Sequence, residues 1–217
     1  DVMSSYERLI EGYKEFRKEY TGRQHSQYRQ WAAKQQNPKV LMIGCCDSRA
    51  NPAIVTHAGL GELFVVNNVA NIVPPYRVGK NTHHSTSAAI EYAVNTLHVE
   101  HIIVMGHSEC GGVRALMSGY DGPEDGSYSF LSEWIDIITP AKDKVLKDFP
   151  DTDIDGQCHA CEKEAILVSL NNLAGFPWVK EKIQNGTLHI HGWHFSVADA
   201  LLQIFEPQKG IFTVIKR

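Results

Sequence analysis

The stretch that decides the fold is Val40-Leu41-Met42-Ile43-Gly44, a continuous apolar run that leads directly into Cys45. Two similar runs follow at Leu63–Val66 and Ile102–Met105, and the second of these leads towards His107. Continuous apolar runs rich in β-branched residues are typical of strands that are buried on both faces, as in parallel sheets. The three runs therefore predict an α/β fold with a mostly parallel central sheet.

The segments around these runs carry the patterns of helices and further strands. Helices are predicted at about His83–Leu97, Phe130–Leu146 and Gln157–Leu173, and late strands at Leu188–Phe195 and Ile211–Ile215. Pro140 is expected to break or kink the second of these helices, because proline lacks the amide hydrogen that a helix interior needs. Strands that alternate with helices predict a sheet whose crossovers are helical and whose faces are flanked by helices.

The N-terminal segment, residues 1–37, is predicted to form a helical arm of a single domain that spans residues 1–217. Ser4 and Glu7 form a Ser-x-x-Glu capping box that opens a first helix. A second helix is predicted from Gln24 to Gln36. Apolar residues of the first helix recur at helical spacing: Tyr6, Leu9, Ile10, Tyr13, Phe16 and Tyr20. This face is expected to pack on a partner subunit as readily as on the sheet of the same chain.

Composition excludes several classes of function. The formal net charge of the 217-residue chain is -4, which argues against a nucleic-acid partner or an anionic membrane surface. No apolar stretch approaches the roughly 18–20 residues that a membrane-spanning helix needs. The N-terminus shows no apolar export signal, which favours a cytoplasmic location. Under those conditions the 5 cysteines are expected to be reduced thiols or metal ligands.

Two thiols and an imidazole follow the predicted strand ends. Cys45 comes directly after the first apolar run, and His107 and Cys110 come after the third, three residues apart. Ligands of open α/β sheets bind at the carboxyl ends of the strands. Each residue taken alone is unremarkable, but together they form a zinc ligand set with an open fourth position, which is typical of catalytic rather than structural zinc sites. Asp47 and Arg49 would place a carboxylate and a cation within reach of the metal.

The motifs Cys45-x-Asp47-Ser48-Arg49 and His107-x-x-Cys110-Gly111-Gly112 resemble the signatures of the β-class carbonic anhydrases. The resemblance covers nearly the whole chain and continues at Gly61–Asn71, Ser85–Ala93 and His191–Trp193. It implies a parallel-sheet α/β fold, N-terminal helices that embrace a neighbour, and homodimers or homotetramers with one zinc per subunit. By matching position it implies Cys45, His107 and Cys110 as zinc ligands and Asp47 and Arg49 as the catalytic dyad. Asn67, Gly111 and Gly112 are then expected in the substrate pocket.

The carboxylate of Asp47 has two possible roles beside zinc. It can accept a hydrogen bond from the metal's water and orient it, or it can occupy the fourth zinc position and close the site. A bidentate pair with Arg49 would hold it away from the metal. A closed, non-catalytic zinc scaffold is therefore a second interpretation of the same residues.

Four positions depart from the family pattern, so the resemblance does not decide which substrate the protein uses. They are Met42, Gly59, Asn67 and Phe195, where the family or one of its branches has polar, cationic or aromatic residues. Bicarbonate benefits from cationic or amide donors, so a less polar pocket would favour a neutral substrate. The sequence thus predicts either reversible hydration of CO2 to bicarbonate or hydrolysis of carbonyl sulfide (COS) to hydrogen sulfide and CO2.

Weaker signals add further interpretations. Cys158 and Cys161 form a Cys-x-x-Cys pair, which would support a redox function only in a suitable strand–helix setting. His83 and His84 are either proton shuttles or a solvated helix start. The histidines of the late strand, His189, His191 and His194, are interpreted as structural or interface residues because no carboxylate lies near them in sequence.

Overall fold

The computed structural model describes residues 2–22, 25–79 and 84–216. Contacts divide the chain into two units, Asp1–Asn37 and Pro38–Arg217. The boundary falls where the N-terminal arm was expected to end, while the single-domain organisation stays a prediction. The predicted fold class is confirmed, since the second unit is an α/β structure with a mostly parallel sheet.

The first unit contains helices α1 (Ser5–Thr21) and α2 (His25–Ala32). The capping box is confirmed, because the Ser4 hydroxyl accepts from the Glu7 amide and the Glu7 carboxylate accepts from the Ser4 amide. The second helix ends before the predicted Gln36, and its predicted start, Gln24, lies outside the described residues. No residue of α1 or α2 is buried in this structure, so the apolar stripe of α1 stands exposed.

The second unit is built on a six-stranded sheet with the order β2-β1-β3-β4-β5-β6. The strands are β1 (Val40–Cys45), β2 (Leu63–Asn68), β3 (His101–His107), β4 (His189–Ser196), β5 (Leu201–Glu206) and β6 (Ile211–Val214). The first four pair in parallel, whereas β5 and β6 add an antiparallel edge. Strand β5 was not predicted, because the turn before it carries none of the usual glycine or proline signals.

Helices flank this sheet and differ from the predictions mainly in their ends. They are α3 (Pro52–Thr56), α4 (Ser85–Glu91), α5 (Gly111–Met117), α6 (Phe130–Ile135), α7 (Thr139–Asp148), α8 (Ile154–Ala174) and α9 (Pro177–Gln184). The helix predicted as Phe130–Leu146 is two helices, and Pro140 lies in the first turn of α7, as the broken alternative expected. A π-helical turn, Tyr92–Thr96, extends α4, and the predicted start at His83 lies outside the described residues. The short α3, α5 and α9 were missed.

Apolar side chains cover both faces of the central strands, which explains their continuous hydrophobicity. On one face, Leu41 and Ile43 of β1 pack in a cluster with buried residues of α4, α8 and α9. On the other face, Met42 packs with Ile103 and Met105 of β3. A third cluster forms at the carboxyl ends of the strands and contains four of the cysteines. Among the described residues, none of the helices is long and apolar enough to span a membrane.

Candidate metal centre

The sheet brings the three predicted ligands together at the carboxyl ends of two neighbouring strands. Cys45 is the last residue of β1, His107 is the last residue of the neighbouring β3, and Cys110 is the N-cap of α5. Their ligand atoms all lie within 4.8 Å of one another. All three side chains are buried, with exposed fractions of 5%, 1% and 3%. Two strand ends and a helix start therefore form one compact set of two sulfurs and one nitrogen.

The imidazole of His107 is oriented by its own loop. Its Nδ1 lies 2.7 Å from the carbonyl oxygen of Ser108, which can only accept, so Nδ1 carries the proton. The other ring nitrogen, Nε2, is buried and has no hydrogen-bond partner. An unpaired buried acceptor is costly and rare in folded proteins. A metal ion at this nitrogen would satisfy it, and the contact at Nδ1 is the usual outer support of a metal-binding histidine.

Backbone amides prepare the two sulfurs for negative charge. The amides of Asp47 and Ala70 donate to the sulfur of Cys45, and those of Gly112 and Val113 donate to Cys110. A hydrogen bond from Cys110 lowers the pKa of Cys45 to about 4, while sharing that proton raises the pKa of Cys110. The thiolate is the form that binds metal. The donor set and its surroundings thus fit a zinc ion.

Asp47 stands beside this set, held by Arg49 through both of its oxygens. Arg49 donates from Nε to Oδ1 at 2.9 Å and from Nη2 to Oδ2 at 2.8 Å, and its backbone amide also donates to Oδ1 at 2.9 Å. These bonds hold the pKa of Asp47 well below its usual range. Oδ2 lies 3.8 Å from Nε2 of His107. The carboxylate is therefore ionised, oriented and adjacent to the ligand set.

The three predicted pocket residues lie in different surroundings. Asn67, near the end of β2, lines a cavity of about 660 Å³, whereas neither glycine does. The cavity wall continues through Asn68, Val69, His84, Ser85, Thr86, Phe130, Leu131, Glu133, Trp134 and Ile137. Gly111 is exposed at the start of α5. A Cβ at Gly112 would lie 2.8 Å from Cγ1 of Val69, so this position needs glycine for close packing.

Two clusters lie outside the ligand set, and only the second has surroundings that differ from those expected. Cys158 and Cys161 are buried inside α8 rather than following a strand. His194 meets a carboxylate after all, because Glu162 of α8 reaches it at 2.9 Å. No local pattern in the sequence indicates this pair, since 32 positions separate the two residues.

Comparisons with known proteins agree with this geometry. A family model described as "Carbonic anhydrase" matches residues 40–202. "Beta carbonic anhydrase 3" of Arabidopsis thaliana is 41% identical over 174 residues, which are 80% of this chain and 67% of that protein. "Beta carbonic anhydrase 5, chloroplastic" of the same plant is 42% identical over 168 residues, 77% of this chain and 54% of that protein. The chain thus spans between about half and two thirds of these relatives.

Solved structures show the same fold. The β-carbonic anhydrase CcaA has a TM-score of 0.88 at 28% identity, covering 98% of this chain and 92% of that one. CafA of Aspergillus fumigatus has a TM-score of 0.81 at 25% identity, covering 95% of each chain. A tetrameric β-carbonic anhydrase of Sordaria macrospora has a TM-score of 0.73 at 28% identity, covering 96% and 95%.

The chain belongs to the β-carbonic anhydrase family, a family of zinc-dependent lyases. It carries the Cys-His-Cys set expected of such an enzyme. The cytoplasmic location stays a prediction, since one relative is named as a chloroplastic protein.

Proposed function

We propose that this protein is a carbonic anhydrase that hydrates CO2 reversibly to bicarbonate, with one Zn²⁺ per chain. Sγ of Cys45, Nε2 of His107 and Sγ of Cys110 would hold the metal. The observation that carries this proposal is the unpaired, buried Nε2, which shares its surroundings with two thiols and an ionised aspartate. Membership of a family of zinc-dependent lyases supports it.

The metal and the residues around its ligands would have separate roles in the reaction. Bound zinc would lower the pKa of a water molecule and so supply a nucleophile near neutral pH. Two thiolates and a neutral imidazole cancel the metal's charge, so this effect is weaker than with three histidines. Asp47 compensates by offering an ionised acceptor that orients the water. Arg49 donates to both oxygens of that carboxylate, which keeps it ionised and fixes its orientation as an acceptor.

The same ion pair argues against the closed scaffold. Bonds of 2.9 and 2.8 Å to Arg49 fix the orientation of Asp47, and a move of its carboxylate onto the metal would disturb this pair. Bidentate pairs between arginine and carboxylate are among the stronger protein hydrogen bonds. We therefore assign Asp47 and Arg49 to an open, catalytic centre.

Carbonyl sulfide is the alternative substrate, and the structure weakens the reason for choosing it. Of the four departures, only Asn67 lines the cavity of about 660 Å³, and none of the three ligands is among its lining residues. Met42 and Phe195 belong to the apolar cluster on one face of the sheet, and Gly59 lies in an exposed loop. The curated relatives are named as carbonic anhydrases. CO2 is thus the better supported substrate.

One preparation of the zinc-loaded protein tests this choice. Stopped-flow hydration of CO2 and release of sulfide from COS are measured side by side, with metal-free protein as the control. The proposal predicts fast, zinc-dependent hydration and little sulfide. Sulfide release with a larger kcat/KM than CO2 hydration would assign the protein to COS hydrolysis. If neither activity is found, the closed, non-catalytic zinc scaffold is the remaining interpretation.

We also propose that the protein forms homodimers or homotetramers through its N-terminal helices. Exposed apolar residues of α1 support this, with Tyr6, Leu9 and Tyr13 at 73%, 69% and 59% exposure. Sedimentation should show an oligomer that Leu9→Glu weakens and that Lys14→Gln, on the same helix, leaves intact. A wild-type monomer at micromolar concentration would contradict this assignment.

A further inference from the structure

A buried carboxylate lies behind the ligand set and is not part of it. Glu162 belongs to α8, and only 4% of its side chain is exposed. Its Oε1 lies 2.9 Å from Nε2 of His194 in β4, whose side chain is 2% exposed. Nδ1 of the more exposed His159 lies 3.3 Å from the same oxygen. An ionised carboxylate only accepts, so Nε2 of His194 carries the proton that joins this pair.

The second oxygen of Glu162 reaches into the loop that carries two ligands. Oε2 accepts from the backbone amide of Glu109 at 2.9 Å. Glu109 lies between His107 and Cys110 and has a φ of 59°, a left-handed conformation that side-chain-bearing residues rarely adopt. Such a conformation persists where its surroundings hold it in place. The charged acceptor on its amide is one such restraint.

The carbonyl group of Glu109 is restrained from the other side. Nη2 of Arg49 donates to this oxygen at 3.3 Å and to Oδ2 of Asp47 at 2.8 Å. A continuous chain of hydrogen bonds therefore runs from His194 through Glu162 to the backbone of Glu109, and on through Arg49 to Asp47. The backbone of Glu109 is the point at which α8 and the Asp47–Arg49 pair meet.

We propose that Glu162, supported by His194, is a positioning residue for this centre. It holds the Glu109 backbone in its left-handed conformation and so presents the carbonyl oxygen that helps orient Arg49 towards Asp47. This inference rests on the proposed function for its catalytic meaning, but the positioning itself is a property of the fold. It gives Glu162 an effect on the reaction without contact with the reacting atoms.

A second metal site is the competing explanation, because the ligand atoms of His159, Glu162 and His194 lie within 4.8 Å of one another. Both oxygens of Glu162 already accept hydrogen bonds, one of them from the Glu109 amide. The buried pair with His194 is complete without the exposed His159. These contacts favour positioning, and metal counting separates the two explanations.

The test compares Glu162→Gln with His159→Gln in the full-length protein. The amide of E162Q keeps the shape of the side chain. If its oxygen accepts from Glu109, however, its amide nitrogen faces the Nε2 hydrogen of His194, so one contact is lost. H159Q alters the exposed neighbour of the same carboxylate, which also meets the ring of His194 edge to face, and serves as the matched control.

Three readouts are measured: metal per chain, the visible absorption spectrum of the Co²⁺-loaded protein, and kcat and KM for CO2. We expect one metal per chain in every variant. E162Q should change the Co²⁺ spectrum and lower kcat by about 10–100-fold, the usual cost of losing an outer-shell partner, with KM little changed. H159Q should match the wild type. His194→Gln, which keeps an amide donor, should retain more activity than His194→Leu.

Several results would overturn the inference. Wild-type spectrum and kcat in folded E162Q would show that Glu162 does not position the centre. A second metal equivalent that H159Q removes would assign the cluster to metal binding. If the wild type lacks CO2 hydration, the proposed function fails, while the Co²⁺ spectra still decide the positioning. Should E162Q not fold, amide exchange on the wild type decides, since an unprotected Glu109 amide contradicts the restraint.

Discussion

Two pairs of cysteines share one apolar cluster, and only one pair suits metal chemistry. Cys45 and Cys110 are 5% and 3% exposed, and Cys158 and Cys161 are 5% and 0% exposed, so burial does not distinguish them. The pKa of Cys45 is lowered to about 4 by its bond from Cys110, whereas burial raises the pKa of Cys161 to about 12. Cys110 shares its proton with Cys45 and has a raised pKa itself, so the pairs differ in that only the first contains a thiol whose pKa is lowered.

The hydrogen bond from Cys110 is the largest cause of the lowered pKa of Cys45, and the backbone around each sulfur adds to the difference. Cys45 ends a strand and Cys110 precedes a helix, where free amide hydrogens point at the sulfurs. Cys158 and Cys161 lie within α8, where the amides are used by the helix itself. A redox function of this second pair, which requires a stabilised thiolate, is therefore disfavoured, since burial also raises the pKa of Cys158. A lowered thiol pKa here depends first on a neighbouring thiol, then on an imidazole and on unused amides.

The largest expected effect comes from removing one sulfur of the first pair. Cys45→Ser should lose zinc and reduce CO2 hydration to the rate of metal-free protein, because zinc sites of this type depend on thiolate ligands. Cys158→Ser should keep one zinc per chain and wild-type kcat. Metal analysis and stopped-flow hydration check both variants. Equal losses in the two variants would remove the distinction between the pairs.

The next effect concerns the cation that restrains Asp47. Arg49→Gln should lower kcat/KM by about 10–100-fold, because the carboxylate loses its bidentate partner and the site loses its orientation. Arg114→Gln is the matched control, since it breaks another arginine–aspartate pair, with Asp155 at 2.5 Å, on the exposed surface. Stopped-flow kinetics and thermal melting measure both. A loss in R114Q as large as that in R49Q would point to general destabilisation.

A smaller effect is expected on stability alone. Cys161→Ser should lower the free energy of unfolding by about 1–3 kcal/mol, because a hydroxyl is buried where an apolar thiol packed. Cys46→Ser, at an exposed cysteine, should change it by less than about 0.5 kcal/mol. Urea unfolding followed by circular dichroism measures the difference. A Cys161→Ser variant with lower kcat but unchanged stability would assign that thiol to function.

The smallest effect extends the comparison from thiols to histidines. Burial lowers the pKa of His191, and the neighbouring His101 and His189 lower it further. The unfolded chain, with a histidine pKa of about 6.5, then binds the proton more readily than the folded one. Stability is therefore complete above about pH 6.5 and declines as pH falls from there towards the folded pKa. His191→Phe should flatten this decline in urea unfolding at several pH values, and an unchanged slope would exclude His191 as its source.

The ligand set and the sheet were predictable because their signals are local. The first and third apolar runs lead towards ligands, so a single stretch of sequence indicates both the strand and the chemistry at its end. Strand β5 and the short α3, α5 and α9 lack a periodic pattern long enough to recognise. The place of Gly112 in the substrate pocket stays a prediction, and its close packing against Val69 could be found only from the fold. The contact of Glu162 with Glu109 joins residues 53 positions apart, and only the fold brings them together.

Zinc X-ray absorption on the zinc-loaded wild type tests the central distinction most directly. One zinc per chain should show two sulfur neighbours at about 2.3 Å and nitrogen or oxygen neighbours at about 2.0–2.2 Å, the imidazole among them. That shell would identify Cys45 and Cys110 as the metal-binding thiols if it persists in a double Cys158→Ser, Cys161→Ser variant. A shell of four sulfurs, a shell without sulfur, or a shell that changes in the double variant would contradict it.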